Sequence, residues 1–331
     1  MGHARFLDRL RDSKMMLPPL AGYTDLPFRT ILAMYDPPFI VTEMINATAI
    51  IHRGAKTLRM MEKPKGVALA GVQLVGSEPS IMGEAAAVVE SLGFDYVDVN
   101  MGCTINKVAR SGAGVALMRD EERAYRIASA IACKVGIPLT CKIRLGVTRQ
   151  SLNAISLTRR LVDAGVTAIT VHGRSGEKKF GLPVDYEGIK EVVEATSVPI
   201  VANGGIFTGD DAVTMLDKTG AAAVMPGRGI IGNPWLIEEI RCAMSRAQYS
   251  PPNLDERKRV CIAHLRELCE FYREESGVLN MRKILPQYFS GCYRAKDLKR
   301  DVEKVKVFSD VETLLGRLHE VESRVVYGEY L

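Results

Sequence analysis

Several side chains able to do chemistry stand directly at the ends of short apolar runs in this chain. Cys103 closes the segment Asn100-Met101-Gly102-Cys103, a polar loop containing glycine, whereas the other cysteines lie in more apolar surroundings. A thiol there can be a nucleophile, an acid or inert. As an acid it keeps its proton at neutral pH, since a free thiol titrates near 8.5. Lys142 with Arg144, and His172 with Arg174, end two further runs, and Gln73 lies inside another. One amide and two donor or cationic groups suit a flat heteroaromatic with carbonyl and N–H edges. The rival role for Lys142 is a Schiff base, which needs a desolvated lysine of depressed pKa. Asn203-Gly204-Gly205-Ile206 and Gly227-Arg228-Gly229 complete the set. Glycines there let backbone N–H groups approach phosphate oxygens, and Arg228 can grip a phosphate bidentately.

The elements that position these residues alternate along the chain. Candidate strands are Met15–Leu20, Phe39–Glu43, Val67–Leu74, Tyr96–Asn100, Leu139–Arg144, Ala168–His172, Ile200–Asn203 and Ala222–Met225. Most are nearly continuous apolar runs, as parallel strands buried on both faces should be. Helical spacing falls between them, at Glu78–Leu92 behind Ser77 as a cap, Glu121–Val135, Ser151–Ala164 and Asp210–Lys218. Eight alternations over roughly 230 residues predict a (β/α)₈ TIM barrel, with a doubly wound open sheet as the rival. In a barrel, polar residues at the C-terminal strand ends read as site residues. The loops after the last two strands commonly bind phosphate. Cations beside such a phosphate-bearing ligand would also suit a flavin, whose reduced ring is negative.

After Trp235 the strand runs stop. Residues 1–240 are expected to form the catalytic barrel and 241–331 an all-helical domain, with helices at Leu254–Arg273, Met281–Ser290, Leu298–Val307 and Val311–Tyr327. Ser276-Gly277 is a punctuation point. From residue 282 to 300 the cations Arg282, Lys283, Arg294, Lys296, Lys299 and Arg300 face one acid, Asp297, with Tyr288, Phe289 and Tyr293 among them. Such a stretch is either a solvated helix face or a polyanion surface. The seven cysteines include no CxxC pair, and Cys261, His264 and Cys269 lie in a helical pattern, so no metal is expected. No apolar run spans a bilayer and the N-terminus is charged, so the expectation is a cytoplasmic protein with no membrane partner.

Taken together, these segments resemble the tRNA-dihydrouridine synthases, particularly the bacterial branch with a C-terminal helical domain. The matching stretches are Pro19-Leu20-Ala21-Gly22-Tyr23-Thr24-Asp25, Val72-Gln73-Leu74, Asp98-Val99-Asn100-Met101-Gly102-Cys103 with Lys107 and Ser111-Gly112-Ala113-Gly114, Lys142-Ile143-Arg144, Val171-His172-Gly173-Arg174, Ala202-Asn203-Gly204-Gly205-Ile206, and Gly227-Arg228 with Asn233-Pro234-Trp235. The likeness continues through 263–268 and Arg282-Lys283. The family's usual proline after the cysteine is Thr104 here, and Pro18 and Leu20 replace the more usual Ala and Met.

The resemblance implies FMN across the barrel mouth and NADPH as electron source. Pro19, Leu20 and Ala21 would meet the flavin through the backbone. Gln73, Lys142 and His172 would hold the ring, and Asn203, Gly204, Gly205, Gly227 and Arg228 the phosphate. Uridines of tRNA would be reduced at C5–C6, with hydride delivered to C6 and Cys103 protonating C5. Asn100 and Arg174 would orient the uracil, while Arg282, Lys283, Lys296, Lys299 and Arg300 would meet the tRNA. An FMN barrel acting on a free pyrimidine, an inactive RNA-binding protein and a sugar-phosphate barrel are the alternatives.

Overall fold

The computed structural model describes residues 2–177, 183–290 and 295–318, with the side chains of 295–297 left aside. Seven parallel strands, numbered in chain order, form one curled sheet: β1 Ile40–Asn46, β2 Ala70–Val75, β3 Tyr96–Asn100, β4 Leu139–Arg144, β5 Ala168–His172, β6 Ile200–Asn203 and β7 Ala223–Met225. Each pairs in parallel with the next. Helices cover the outside, giving a TIM-barrel architecture. The expected first strand, Met15–Leu20, is not a strand: only Met15 bridges to Val224. Pro18 and Pro19 carry no N–H for a ladder, so pairing cannot extend past them.

The N-terminal rim is plugged by the helix Gly2–Ser13, which the sequence reading missed. Phe6 and Leu10 are buried, and the Phe6 ring meets Phe39 at 4.9 Å and Tyr96 at 5.4 Å between centroids. With aromatic side chains filling that end, the C-terminal rim is the end of the barrel left to receive a ligand.

Other helices shift modestly. Ser77 does not cap the helix Pro79–Ser91; its hydroxyl donates to the Ser111 carbonyl instead. The expected start at Ser151 falls in a small hairpin, Gly146–Thr148 with Ser151–Leu152, and the helix runs Ala154–Asp163. The helix Leu236–Ser245 runs through residue 240 and packs on Gly209–Thr219, so barrel helices continue past that position.

Beyond it, Leu254–Tyr272 and Glu274–Arg282 form an antiparallel pair. Their break is at Arg273, with φ +69°, not at Ser276-Gly277. Gly277 sits within the second helix, where a Cβ would lie 2.7 Å from the Cys269 Cα. The expected helix Met281–Ser290 is divided after Arg282 and resumes as Leu285–Tyr288, where Pro286 lacks the N–H that a continuous helix needs. Leu298–Val307 resolves into Ala295–Asp301 and a 3₁₀ turn, and the last described helix is Phe308–Gly316. Of the expected Val311–Tyr327, residues 319–327 lie outside the described residues, as do Tyr293 and Arg294. No helix among the described residues is long and apolar enough to cross a membrane.

At Gly71 on β2, a Cβ would lie 2.4 Å from the Tyr96 ring, whose hydroxyl donates to the Ile40 carbonyl at 2.9 Å. Gly71→Ala must displace that ring and should destabilise the barrel by about 1–3 kcal/mol. A lowered urea midpoint checks this; an unchanged midpoint would show that the ring yields freely.

Candidate functional site at the barrel mouth

Strand register brings the polar residues together. Gln73 on β2 pairs with Asp98 on β3, and Asp98 with Thr140 on β4. One step nearer the mouth, Asn100 pairs with Lys142. Beyond that, Arg144 pairs with His172, His172 with Asn203, and Asn203 with Met225. The residues of successive layers lie two apart on each strand and so share the inner face.

The innermost layer is a hydrogen-bonded chain. Asp98 is buried and accepts from Thr140 Oγ1 and from Gln73 Nε2, both at 2.6 Å. Gln73 Oε1 accepts from Asn100 Nδ2 at 2.9 Å, and Asn100 Oδ1 accepts from the Cys103 N–H at 2.9 Å. Gln73 is 1% exposed, so it lies beneath the mouth rather than on its surface. The loop is held from its other side by Arg144, whose Nε donates to the Gly102 carbonyl at 2.7 Å and whose Nη1 donates to the Ser175 carbonyl at 2.9 Å. Gly114, at φ +59°, lets the following turn close on the loop: a Cβ there would lie 2.7 Å from the Cys103 carbonyl oxygen. Cys103 itself is part-exposed.

The outer layer is rich in cations. Lys142 Nζ donates to Asn203 Oδ1 at 2.8 Å, and Asn203 Nδ2 donates to the Met225 carbonyl at 2.8 Å. Burial lowers the Lys142 pKa to about 7, aided by Arg144 and opposed by Asp98. Burial first, then Lys142, Arg144, Arg174 and Arg228, push His172 down to about 2, so this imidazole is neutral. Arg174 Nη1 lies 3.2 Å from His172 Nε2, which can therefore accept. Asp98 is raised to about 6, chiefly by burial, with its two side-chain hydrogen bonds and Lys142 opposing. Four cationic residues thus surround a neutral histidine, with one buried carboxylate beneath. Such a mouth suits an anion.

The loops after β6 and β7 add an open cradle. Gly204 and Gly205 have φ of +124° and +70°, and a Cβ on Gly204 would approach the His172 ring to 3.1 Å. Gly227 is open, with nothing nearer to its notional Cβ than Asn203 Nδ2 at 4.0 Å, and Arg228 is exposed. The donor set and the glycine cradle fit a phosphate-bearing flat anion. Lys142 meets the desolvation that a Schiff-base lysine needs, but its Nζ is engaged by Asn203.

Pro19, Leu20 and Ala21 lie on a tight turn closed by Thr24, whose hydroxyl accepts from the Leu20 N–H at 2.9 Å. Lys283 reaches across from the helical region and donates to the Gly22 carbonyl at 2.6 Å, with Nζ 5.2 Å above the Tyr23 ring. It braces this turn. Arg282 turns away, donating Nε to the Val305 carbonyl at 2.9 Å, and so does not join the mouth. Lys299 and Arg300 are on the helix Ala295–Asp301, as is Lys296, whose side chain is outside the described set. Asp98 and Arg144 were given no role from sequence. Counting back two from Asn100 and forward two from Lys142 places both on the inner face.

Comparison with known proteins gives the family and the fold. A probable tRNA-dihydrouridine synthase of Rickettsia bellii is 36% identical over 96% of this chain and 97% of its own length. tRNA-dihydrouridine synthase B of Pasteurella multocida is 33% identical over 84% of each chain. Among solved structures, an old yellow enzyme homologue from Zymomonas mobilis shares the fold, with a TM-score of 0.51 at 14% identity, covering 73% of this chain and 90% of that one. The family model for dihydrouridine synthase (Dus) matches residues 16–322, and the chain belongs to that family.

Proposed function

We propose that this chain reduces the C5–C6 double bond of uridines in tRNA, using FMN at the barrel mouth and NADPH as reductant. The observation that carries this reading is the convergence of Lys142, Arg144, His172, Arg174 and Arg228 on one rim beside the Cys103 loop. Asn203, Gly204, Gly205, Gly227 and Arg228 would hold the FMN phosphate. Lys142 and His172 would face the ring from above Gln73, and the turn Pro19, Leu20 and Ala21 would pack against it. When bound, the flavin supplies the hydride. Cys103 gives its proton to C5, and Asn100 and Arg174 orient the base.

A uracil stacked in an RNA helix cannot enter a barrel mouth, so the base must be extruded at a cost of a few kcal/mol. Phosphate contacts from the helical region, through Lys296, Lys299 and Arg300, offset this cost and make binding depend on salt. The experiment is single-turnover reduction of unmodified tRNA against free uracil, read by mass spectrometry. Reduction of tRNA alone, weakening with salt, is expected; equal reduction of free uracil would overturn the tRNA assignment in favour of a small pyrimidine.

Cys103→Ala should keep flavin and its reduction by NADPH but slow uridine reduction by about 10²–10⁴-fold. Undiminished turnover would remove the thiol from the chemistry. Lys142, near pKa 7 without ligand, is raised by an anion against Nζ, so the protonated form binds. FMN affinity should fall up to about tenfold as pH rises from about 7 to 9, and Lys142→Met should flatten that limb. Titrations across this range decide it, a pH-independent native affinity being the contrary result. Replacing Lys299 and Arg300 by alanine should lower the salt slope of tRNA binding by up to about two while NADPH oxidation is retained. An unaltered slope would place the RNA elsewhere.

A further inference from the structure

The relay beneath Cys103 has a fixed polarity at both ends. At the top, the Cys103 N–H can only donate, so Asn100 must present Oδ1 to it and turn Nδ2 toward Gln73. Gln73 must then present Oε1 upward and Nε2 downward. At the bottom stands Asp98, whose carboxyl group, when ionised, can accept but not donate. Either amide could otherwise rotate by half a turn at little steric cost. If both turned, two N–H donors would face each other at Cys103, which is costly in a buried network.

We propose that Asp98 is a positioning residue: by accepting from Gln73 it sets both amides and thereby the place of the Cys103 loop. The inference rests on the reading that Cys103 is the proton donor. Three further observations support it. Thr140 Oγ1 donates to Asp98 Oδ1 at 2.6 Å, leaving Oδ2 for Gln73. Lys142 on β4 opposes the effect of burial and favours the charged carboxylate. The loop's other brace, Arg144, binds the Gly102 and Ser175 carbonyls and leaves the Cys103 N–H to Asn100.

Substitution tests the polarity, not merely the bulk. Asp98→Asn can still present an oxygen to Gln73 by turning its NH₂ to the Thr140 hydroxyl, which can itself donate to the Val97 carbonyl. Thr140→Val leaves the Asp98 carboxylate free to hold Gln73. Each single variant should therefore change the tRNA step by no more than about threefold, whereas the double variant loses both devices and should fall by about 30-fold or more. Flavin content and NADPH reduction should be retained in Thr140→Val; the two variants lacking the carboxylate are compared on flavin-saturated protein, because losing Asp98 lowers the Lys142 pKa further. A second readout needs no tRNA: the rate at which iodoacetamide alkylates Cys103, followed on its own peptide, should shift in the double variant and not in either single one.

Additive effects in both readouts would overturn the proposal. If native protein reduces no uridine, the functional reading fails, while the alkylation rates still decide the role of Asp98. Should the double variant fail to fold, hydrogen exchange in native protein decides it. The Gln73 and Asn100 side-chain amide protons should exchange far more slowly than free amides, and exchange at the free rate would show that the relay does not exist.

Discussion

A parallel barrel makes neighbouring strands share layers, and the buried carboxylate of Asp98 is the point on which those layers turn here. It is a buried anion coupled to Lys142 beneath the cations of the mouth. Taking a carboxylate out of water is costly unless it is paired and hydrogen-bonded. Thr140, Gln73 and Lys142 offset that cost together. Because Thr140 and Gln73 each use one oxygen, the group also has a direction. That direction passes through two amides to the Cys103 backbone.

The outer layer works by the opposite imbalance. Burial, and then the cations around it, keep His172 neutral, and burial brings Lys142 to the edge of losing its proton. A site with surplus positive potential and little bulk water favours an arriving anion and gains protonation when it arrives. The glycines at 204, 205 and 227 matter for the same reason: they leave the backbone uncovered where phosphate oxygens would come closest.

Legibility in the sequence followed burial. The strands Tyr96–Asn100, Leu139–Arg144, Ala168–His172 and Ile200–Asn203 were readable to the residue, because strands buried on both faces are continuous apolar runs. Met15–Leu20 looked similar, but two prolines decide against pairing. Pro286 likewise divides a helix that apolar spacing alone would continue. The plug helix Gly2–Ser13 was missed because its buried hydrophobic contacts come from only Phe6 and Leu10 on a charged segment. Residue type singled out Cys103, Lys142 and His172, which the fold brings to one mouth, but charge could not say what Arg282 and Lys283 touch. Their partners, the carbonyls of Val305 and Gly22, are ordinary backbone atoms that carry no sequence signal.

Those partners bear on how the two parts of the chain act together. Lys283 ties the helical region to the turn that follows Pro19, and Tyr272 from the same region lies beside Asp25 at the end of that turn. Asp25 caps the helix Leu26–Ala33 through the Phe28 N–H, and burial raises its pKa to about 6. Arg29 on this helix is 1% exposed, and its guanidinium donates to the carbonyls of Thr24, Met60 and Glu62. On the other side of the helix, Ile31 joins Trp235, Leu265 and Tyr288 in the apolar cluster of the helical region. The turn is therefore gripped by both the barrel and the helices. The helix Leu26–Ala33, Lys283 and Tyr272 connect the helical region to the backbone at the rim of the mouth.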